Sequence, residues 1–331
     1  MSNSKWKLTL VAALLVCLAS AGPALAASKP LKLAFIAPTP VWGPIADHYA
    51  REVAKLAPGL SVKSYGGGQL GPAPQNFAEV KLGKLDMMLA DVGLLAMPKG
   101  GKDFSILFSP YVFNSQAHMH KFFASDLFKK MLAKTEKQAG FKFLGLVGDR
   151  SPRVISTSNR KVEKPADMKG LKLRVQLIPP IMATLKAWGA TPIPLSAAEM
   201  YMAMKQGTVD GQDNGFDAIY GAKFYEVQKY VSPIDYIRSA LMLIISDKVW
   251  KKLSPAEQKA LLAACATTEK WATARNDVIV AKSIKGVREK GMIVLKPDMQ
   301  AFRKSVAKAV KEDMDGKLWP AGLYHKINTM K

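Results

Sequence analysis

The most constraining stretch of this chain begins at Ser254. Ser254-Pro255-Ala256-Glu257 supplies an N-cap hydroxyl, a proline at the first helical position and a capping-box acid three residues on. No proline or glycine then interrupts the sequence until Gly286, and Gly291 is a clear terminator. A helix of roughly 36 residues rises about 54 Å, more than the width of one small domain. Such an element is expected to run along the back of two domains and tie them together. A chain of 331 residues agrees, since that length favours about two domains over one.

Elsewhere strands and helices alternate. Residues 31–37 read as a strand, followed by a Pro/Thr loop carrying Trp42 and a charged helix from about 45 to 56. Residues 60–65 alternate with period two, as a half-buried strand does. A glycine-rich turn, a helix ending near Gly83 and a strand at 85–91 complete a βαβ-like series, and 141–147 is a further strand. A second series begins at Arg153, with strands at 154–158, 171–175 and 191–195 and a helix near 181–188. Ser196 and Glu199 form a capping box, with Gly207 as the stop. Met200, Ala203 and Met204 share one face and read as core filler. This alternation predicts an α/β architecture with largely parallel sheets.

At the N-terminus, Lys5 and Lys7 precede an apolar run over residues 8–19, and Pro23 leads into Ala24-Leu25-Ala26. That order is a secretory signal peptide with a small-x-small cleavage site. The run is about twelve residues, whereas a membrane span needs about twenty. Residues 1–26 are therefore expected to be removed, leaving a mature chain from Ala27. Cys17 leaves with them, so Cys265 is alone, no internal disulfide is available, and it reads as a small buried apolar residue.

Lys and Arg outnumber Asp and Glu by 48 to 26, a formal charge of +22, which suggests anionic partners. Export, and the absence of interleaved arginines and aromatics, argue against nucleic acid. The charge reads as a solvated basic surface.

Several motifs fail on inspection. Gly66-Gly67-Gly68-Gln69-Leu70-Gly71 matches G-x-G-x-x-G, but Pro72 and Pro74 crowd the helix start and the motif follows the second strand. It reads as a tight strand-to-helix turn. Asp210-Gly211-Gln212-Asp213-Asn214-Gly215 starts like a calcium loop, yet Gly221 replaces the bidentate acid that should end it. His118 and His120 point to different sides of a helix, lack a third ligand nearby in sequence and read as surface residues. No nucleophile elbow or H-E-x-x-H is present. No catalytic residue, metal site or cofactor is expected.

Five segments then occur in order: Arg153-Val-Ile-Ser-Thr-Ser-Asn-Arg160, Pro165-Ala-Asp-Met-Lys-Gly-Leu-Lys-Leu-Arg-Val175, Pro194-Leu-Ser-Ala-Ala-Glu-Met-Tyr201, Val209-Asp-Gly-Gln-Asp-Asn214 and Lys223-Phe-Tyr-Glu-Val-Gln-Lys-Tyr230. Together they resemble the solute-binding proteins of tripartite ATP-independent periplasmic (TRAP) transporters, the DctP family. Gly68-Gln-Leu-Gly71 and Gly83-Lys-Leu-Asp-Met87 fit its N-terminal half, and the resemblance covers essentially the whole mature chain. It implies a two-lobed periplasmic binding protein fold with a ligand cleft between the lobes and the long helix spanning both. It also implies a first lobe of 27–150 with about 237–280 and a second of 151–236 with about 281–331.

The resemblance implies capture of a small organic acid in the periplasm, by a monomer that delivers it to TRAP membrane permease subunits. Arg174, in the Leu-Arg-Val segment, matches the family arginine that holds the ligand carboxylate. A planar guanidinium donates two parallel hydrogen bonds to a carboxylate, which lysine cannot. Asn214 matches a site-lining asparagine, Arg153 a second arginine, and Asp91 a position that often carries a ligand-facing polar or acidic residue. Tyr236 falls near a family histidine. Trp42 is placed either to stack on a ligand or to cover the cleft. Ala197 stands where some members carry a bulky aromatic, and Gly215 where many have proline. An acid at Asp91 repels a second carboxylate, which favours a hydroxylated monocarboxylate over a C4-dicarboxylate. Two other readings stay open: a periplasmic ligand-sensing protein for a receptor kinase, and an exported α/β enzyme.

Overall fold

The computed structural model of the chain describes residues 30–330; the expected signal peptide at 1–26 lies outside them. Strand β1 (Leu31–Ala34) leads into helix α1 (Thr39–Leu56), then β2 (Val62–Tyr65), α2 (Ala73–Leu82) and β3 (Met87–Asp91). Two 3₁₀ turns precede α3 (Gln116–Ala124), α4 (Asp126–Ala139) and β4 (Phe141–Asp149). The next group is β5 (Val154–Thr157), β6 (Lys172–Val175), α5 (Pro179–Ala187), β7 (Thr191–Pro194), α6 (Met200–Lys205), β8 (Gly211–Asn214), α7 (Phe216–Gly221) and β9 (Tyr230–Ser232). Strand β10 (Ala240–Ser246), α8 (Asp247–Trp250), α9 (Pro255–Glu289), β11 (Ile293–Val294), α10 (Met299–Ala309) and α11 (Leu323–Asn328) complete the order.

The strands form two sheets, β2-β1-β3-β10-β4 and β11-β9-β5-β8-β6-β7. Two lobes follow, with a separate sheet in each. The sheets are more mixed than the sequence pattern suggested. Strand β10 runs antiparallel to both β3 and β4, and β5 antiparallel to both β8 and β9. Both strands follow a crossing of the chain between lobes, so each enters its sheet against its neighbours. Strand β10, Ala-Leu-Met-Leu-Ile-Ile-Ser, is buried at every residue. An unbroken apolar run of that kind suits a strand covered on both faces.

Helix α1 starts earlier than expected and takes Trp42 out of the loop. The first N–H groups of a helix have no helical partner, so Pro40 in the first turn removes nothing. Only Pro44 lies inside the helix, at the cost of one internal hydrogen bond.

The long helix α9 spans 35 residues. It packs on β4 and α1 of the first lobe and on α7 of the second. Close approach requires glycine against its middle and near its end. A Cβ on Gly148 of β4 would lie 2.5 Å from the Ala272 Cβ, and one on Gly286 would lie 2.4 Å from the Tyr220 ring. The start is held reciprocally: the Ser254 N–H donates to Glu257 Oε2 at 2.7 Å, and the Glu257 N–H donates to Ser254 Oγ at 3.3 Å. Ser254→Ala is expected to cost about 1 kcal/mol, read as a lower denaturant midpoint; an unchanged midpoint would show that the cap carries no stability.

After α10, which packs on α5 of the second lobe, the tail returns to the first. Ser105 Oγ donates to the Leu318 carbonyl at 2.6 Å, and Asn328 Nδ2 donates to the Tyr111 and Val112 carbonyls at 3.0 and 3.2 Å. The expected lobe boundaries did not include this last crossing. His118 is not on the surface. Its Nδ1 accepts from the Asn114 N–H at 3.1 Å and its Nε2 donates to the Ile327 carbonyl at 2.8 Å, joining α3 to α11. Cys265 is buried against β4, and burial pushes its thiol pKa up. No helix among the described residues is long and apolar enough to cross a membrane.

Candidate functional site

The carboxyl ends of β1, β3, β6 and β8 point at the gap between the lobes, where ligands bind in open α/β sheets. The gap holds a narrow, partly enclosed cavity lined from both lobes. Its first-lobe wall includes Trp42, Asp91 and Leu94, and its second-lobe wall includes Arg174, Gln176 and Asn214. Arg150 and Arg153, on the segment that joins β4 to β5, complete the charged lining. Three arginines thus face one aspartate.

Two of the three are already neutralised. Arg150 donates from Nη1 to Asp91 Oδ2 in a short ion pair. The other Asp91 oxygen accepts from the Gly93 N–H at 2.8 Å and from Ser239 Oγ at 2.7 Å. Arg153 donates from Nε to Asp213 Oδ2 at 2.6 Å and from Nη2 to the Asp213 carbonyl at 3.0 Å. Burial opposes the Arg153 charge, but Asp213 outweighs it and holds the guanidinium above its usual range. The Tyr236 hydroxyl donates to the same Asp213 oxygen. Burial and that carboxylate push its phenol well up, so it stays protonated.

Arg174 has no such partner. It is 1% exposed, and its Nε and Nη2 both donate to one neutral group, the Leu195 carbonyl, at 3.0 and 2.6 Å. Its Nη1 takes no protein partner among the described residues. Burial lowers its pKa to about 10, with attraction by Asp213 and repulsion by Arg153 opposing each other. An unpaired buried cation is costly. One guanidinium edge is fastened, and the other is available for an anion.

Of the residues singled out from the sequence, Arg174, Arg153, Asn214, Asp91 and Trp42 lie on the cavity wall. Tyr236 does not. It is fully buried behind Arg153, where its N–H donates to the Arg153 carbonyl at 3.3 Å and its hydroxyl to Asp213. Asp91 is no free acid, because Arg150 neutralises it, so it gives no ground for rejecting a dicarboxylate. Trp42 lies under the Arg150 guanidinium, 5.3 Å from its ring centre, as part of α1.

The family model described as bacterial extracellular solute-binding protein, family 7 (DctP) matches residues 36–317. The chain belongs to the DctP family. A solute-binding protein of Verminephrobacter eiseniae is 31% identical over 250 residues, 75% of this chain and 73% of that one. The TRAP periplasmic solute-binding protein of Polaromonas sp. JS666, solved bound to D-erythronate, superposes with a TM-score of 0.84 at 28% identity, covering 92% of this chain and 99% of that one. Its counterpart from Roseobacter denitrificans OCh 114, solved with bound L-galactonate, has a TM-score of 0.83 at 27% identity, covering 90% and 98%. The two solved DctP relatives are TRAP periplasmic solute-binding proteins, and the Verminephrobacter one is a solute-binding protein.

In this DctP cleft the sequence reading passed over Arg150 and Gln176. Both lie just past strand carboxyl ends, β4 and β6, and that position was the available signal. Asp213 was also passed over, because its partners, Arg153 and Tyr236, are 60 and 23 residues away in sequence.

Proposed function

We propose that the protein captures a small organic acid in the periplasm, after removal of residues 1–26, and delivers it to a TRAP membrane permease. The ligand's carboxylate takes the open edge of Arg174, Asn214 contacts a second ligand group, and Trp42 and the Arg150–Asp91 pair form the facing wall. One observation carries this reading: of three arginines on the wall, Arg174 alone lacks an acidic partner. A carboxylate gives Arg174 the acidic partner that Arg150 and Arg153 already have. The relatives solved with D-erythronate and L-galactonate point to the same class, hydroxylated monocarboxylates.

A thermal-shift screen of organic acids on refolded, ligand-free protein tests it. A sugar acid should raise the melting temperature, while the matching neutral polyol should not. Stabilisation by the polyol alone would overturn the carboxylate reading.

Binding is also expected to close the lobes. Contacts from both walls favour the closed state in proportion to the ligand's differential affinity for it, and the crossover segments and α9 supply the hinges. Small-angle scattering should give a smaller radius of gyration at saturation than without ligand. Identical profiles at proven saturation would reject closure.

A further inference from the structure

A second cavity opens between the lobes, away from the cleft. It holds about 450 Å³, within the range of small-molecule sites. Its second-lobe wall is α10 and the turn after it, with Arg303, Val306, Val310 and Lys311. Its first-lobe wall includes Tyr111 and, on the returning tail, Tyr324 and His325. The crossover at 234–237 divides it from the cleft. Arg153, whose N–H donates to the Ile237 carbonyl at 2.9 Å, lines the cleft. Tyr111, whose N–H donates to the Tyr236 carbonyl at 2.7 Å, lines the second cavity.

The lining combines apolar surface with surplus positive charge. Val306 and Val310 are buried beneath it. Tyr111 and Tyr324 spend their hydroxyls on the Ile234 and Pro110 carbonyls, at 3.2 and 3.1 Å, so what they bring is aromatic surface. The Arg303 guanidinium lies 4.2 Å from the Tyr111 ring centre. The nearby acids are held by other groups: Asp235 by Arg238 at 3.5 Å and Glu312 by Lys308 at 3.9 Å. Asp315, the carboxylate on the wall, accepts from the Trp319 indole and the Gly322 N–H, both at 2.8 Å. Arg303 and Lys311 against one carboxylate leave one positive charge to spare. The backbone beside the cavity is strained as well. Of the three non-glycine residues with positive φ among the described residues, Tyr111 at 56° and Asp235 at 43° meet here. A bulky residue keeps that conformation only where its surroundings over-determine it.

We infer that this cavity is a second binding site, for a small molecule with one negative charge on an apolar ring, and that filling it favours the closed arrangement of the lobes. An occupant touches both lobes, so it discriminates between their arrangements. The arrangement seen here pairs a narrow cleft with an open second cavity, and a molecule that fits that cavity stabilises it. By linkage the same molecule tightens carboxylate binding in the cleft. That consequence rests on the proposed function, whereas the site itself does not.

Fluorescence titration of the purified, ligand-free chain with 2-naphthoate tests the site, with 2-naphthylmethanol as its neutral match. The acid should bind about 5-fold more tightly than the alcohol. Replacing Arg303→Ala and Lys311→Ala together should remove that preference; both side chains are exposed, so the fold should stand. Arg174→Ala should still bind 2-naphthoate. An undiminished preference in the double variant, lost binding in Arg174→Ala, or no binding to the wild type would each overturn the site. Calorimetry reads the coupling: saturating 2-naphthoate should tighten D-erythronate binding about 5-fold, and unchanged affinity would overturn the coupling. If D-erythronate does not bind at all, the cleft reading falls, while the fluorescence titrations still decide the second site.

Discussion

Arg174→Ala is expected to weaken binding of the selected organic acid by about 30-fold to several thousand-fold, the usual loss when one partner of a buried charge pair is removed. The guanidinium is already oriented, because its Nε and Nη2 are fastened to the Leu195 carbonyl. Little side-chain freedom is left to lose on binding, which is how preorganisation raises affinity. Arg174→Lys should also bind poorly, since an ammonium cannot hold that carbonyl and present a planar pair of donors at once. Calorimetric titration of the two variants beside the wild type checks this. Wild-type affinity in Arg174→Ala would show that the carboxylate is held elsewhere.

The other large effect is on stability. Asp213→Ala should lower unfolding free energy by about 3–5 kcal/mol, because it strands Arg153 as a buried charge. Asp213 is 0% exposed and Arg153 3%, so water cannot take over as partner. Asp213→Asn keeps an acceptor for Arg153 and Tyr236 and should fall between the wild type and the alanine variant. Replacing both Arg153 and Asp213 by leucine should recover most of the loss, since an apolar pair of similar volume is often as stable as a buried ion pair. Urea denaturation of ligand-free protein reads all four. An unchanged midpoint in Asp213→Ala would mean that the pair is not what holds Arg153 in place.

The two effects separate binding from folding at neighbouring arginines. On the proposed reading Arg174 takes the ligand, because its polar contact inside the protein is a neutral carbonyl. Arg153 belongs to the fold because its charge is balanced whether or not a ligand is present. From the sequence the two look alike, since each stands at a family arginine position.

What the sequence determined by itself was mostly local. Ser254, Pro255 and Glu257 specify the start of α9 within one turn, and the absence of proline and glycine carries the helix on to Gly286, one turn short of its end at Glu289. The alternation of strands and helices specified an α/β chain, and a helix too long for one lobe specified two. Those signals depend on residues a few positions apart, whose distances the backbone sets before any tertiary contact forms. The strand-end positions of Arg174, Arg153, Asn214 and Asp91 bring them to one cavity between the lobes, because a strand end fixes where its side chains emerge; Trp42 reaches it from α1. The tertiary structure decided which charges cancel. Asp91 is paired with an arginine 59 residues away and Asp213 with one 60 residues away. Such attraction depends on final separation and local dielectric, neither of which is written in sequence spacing.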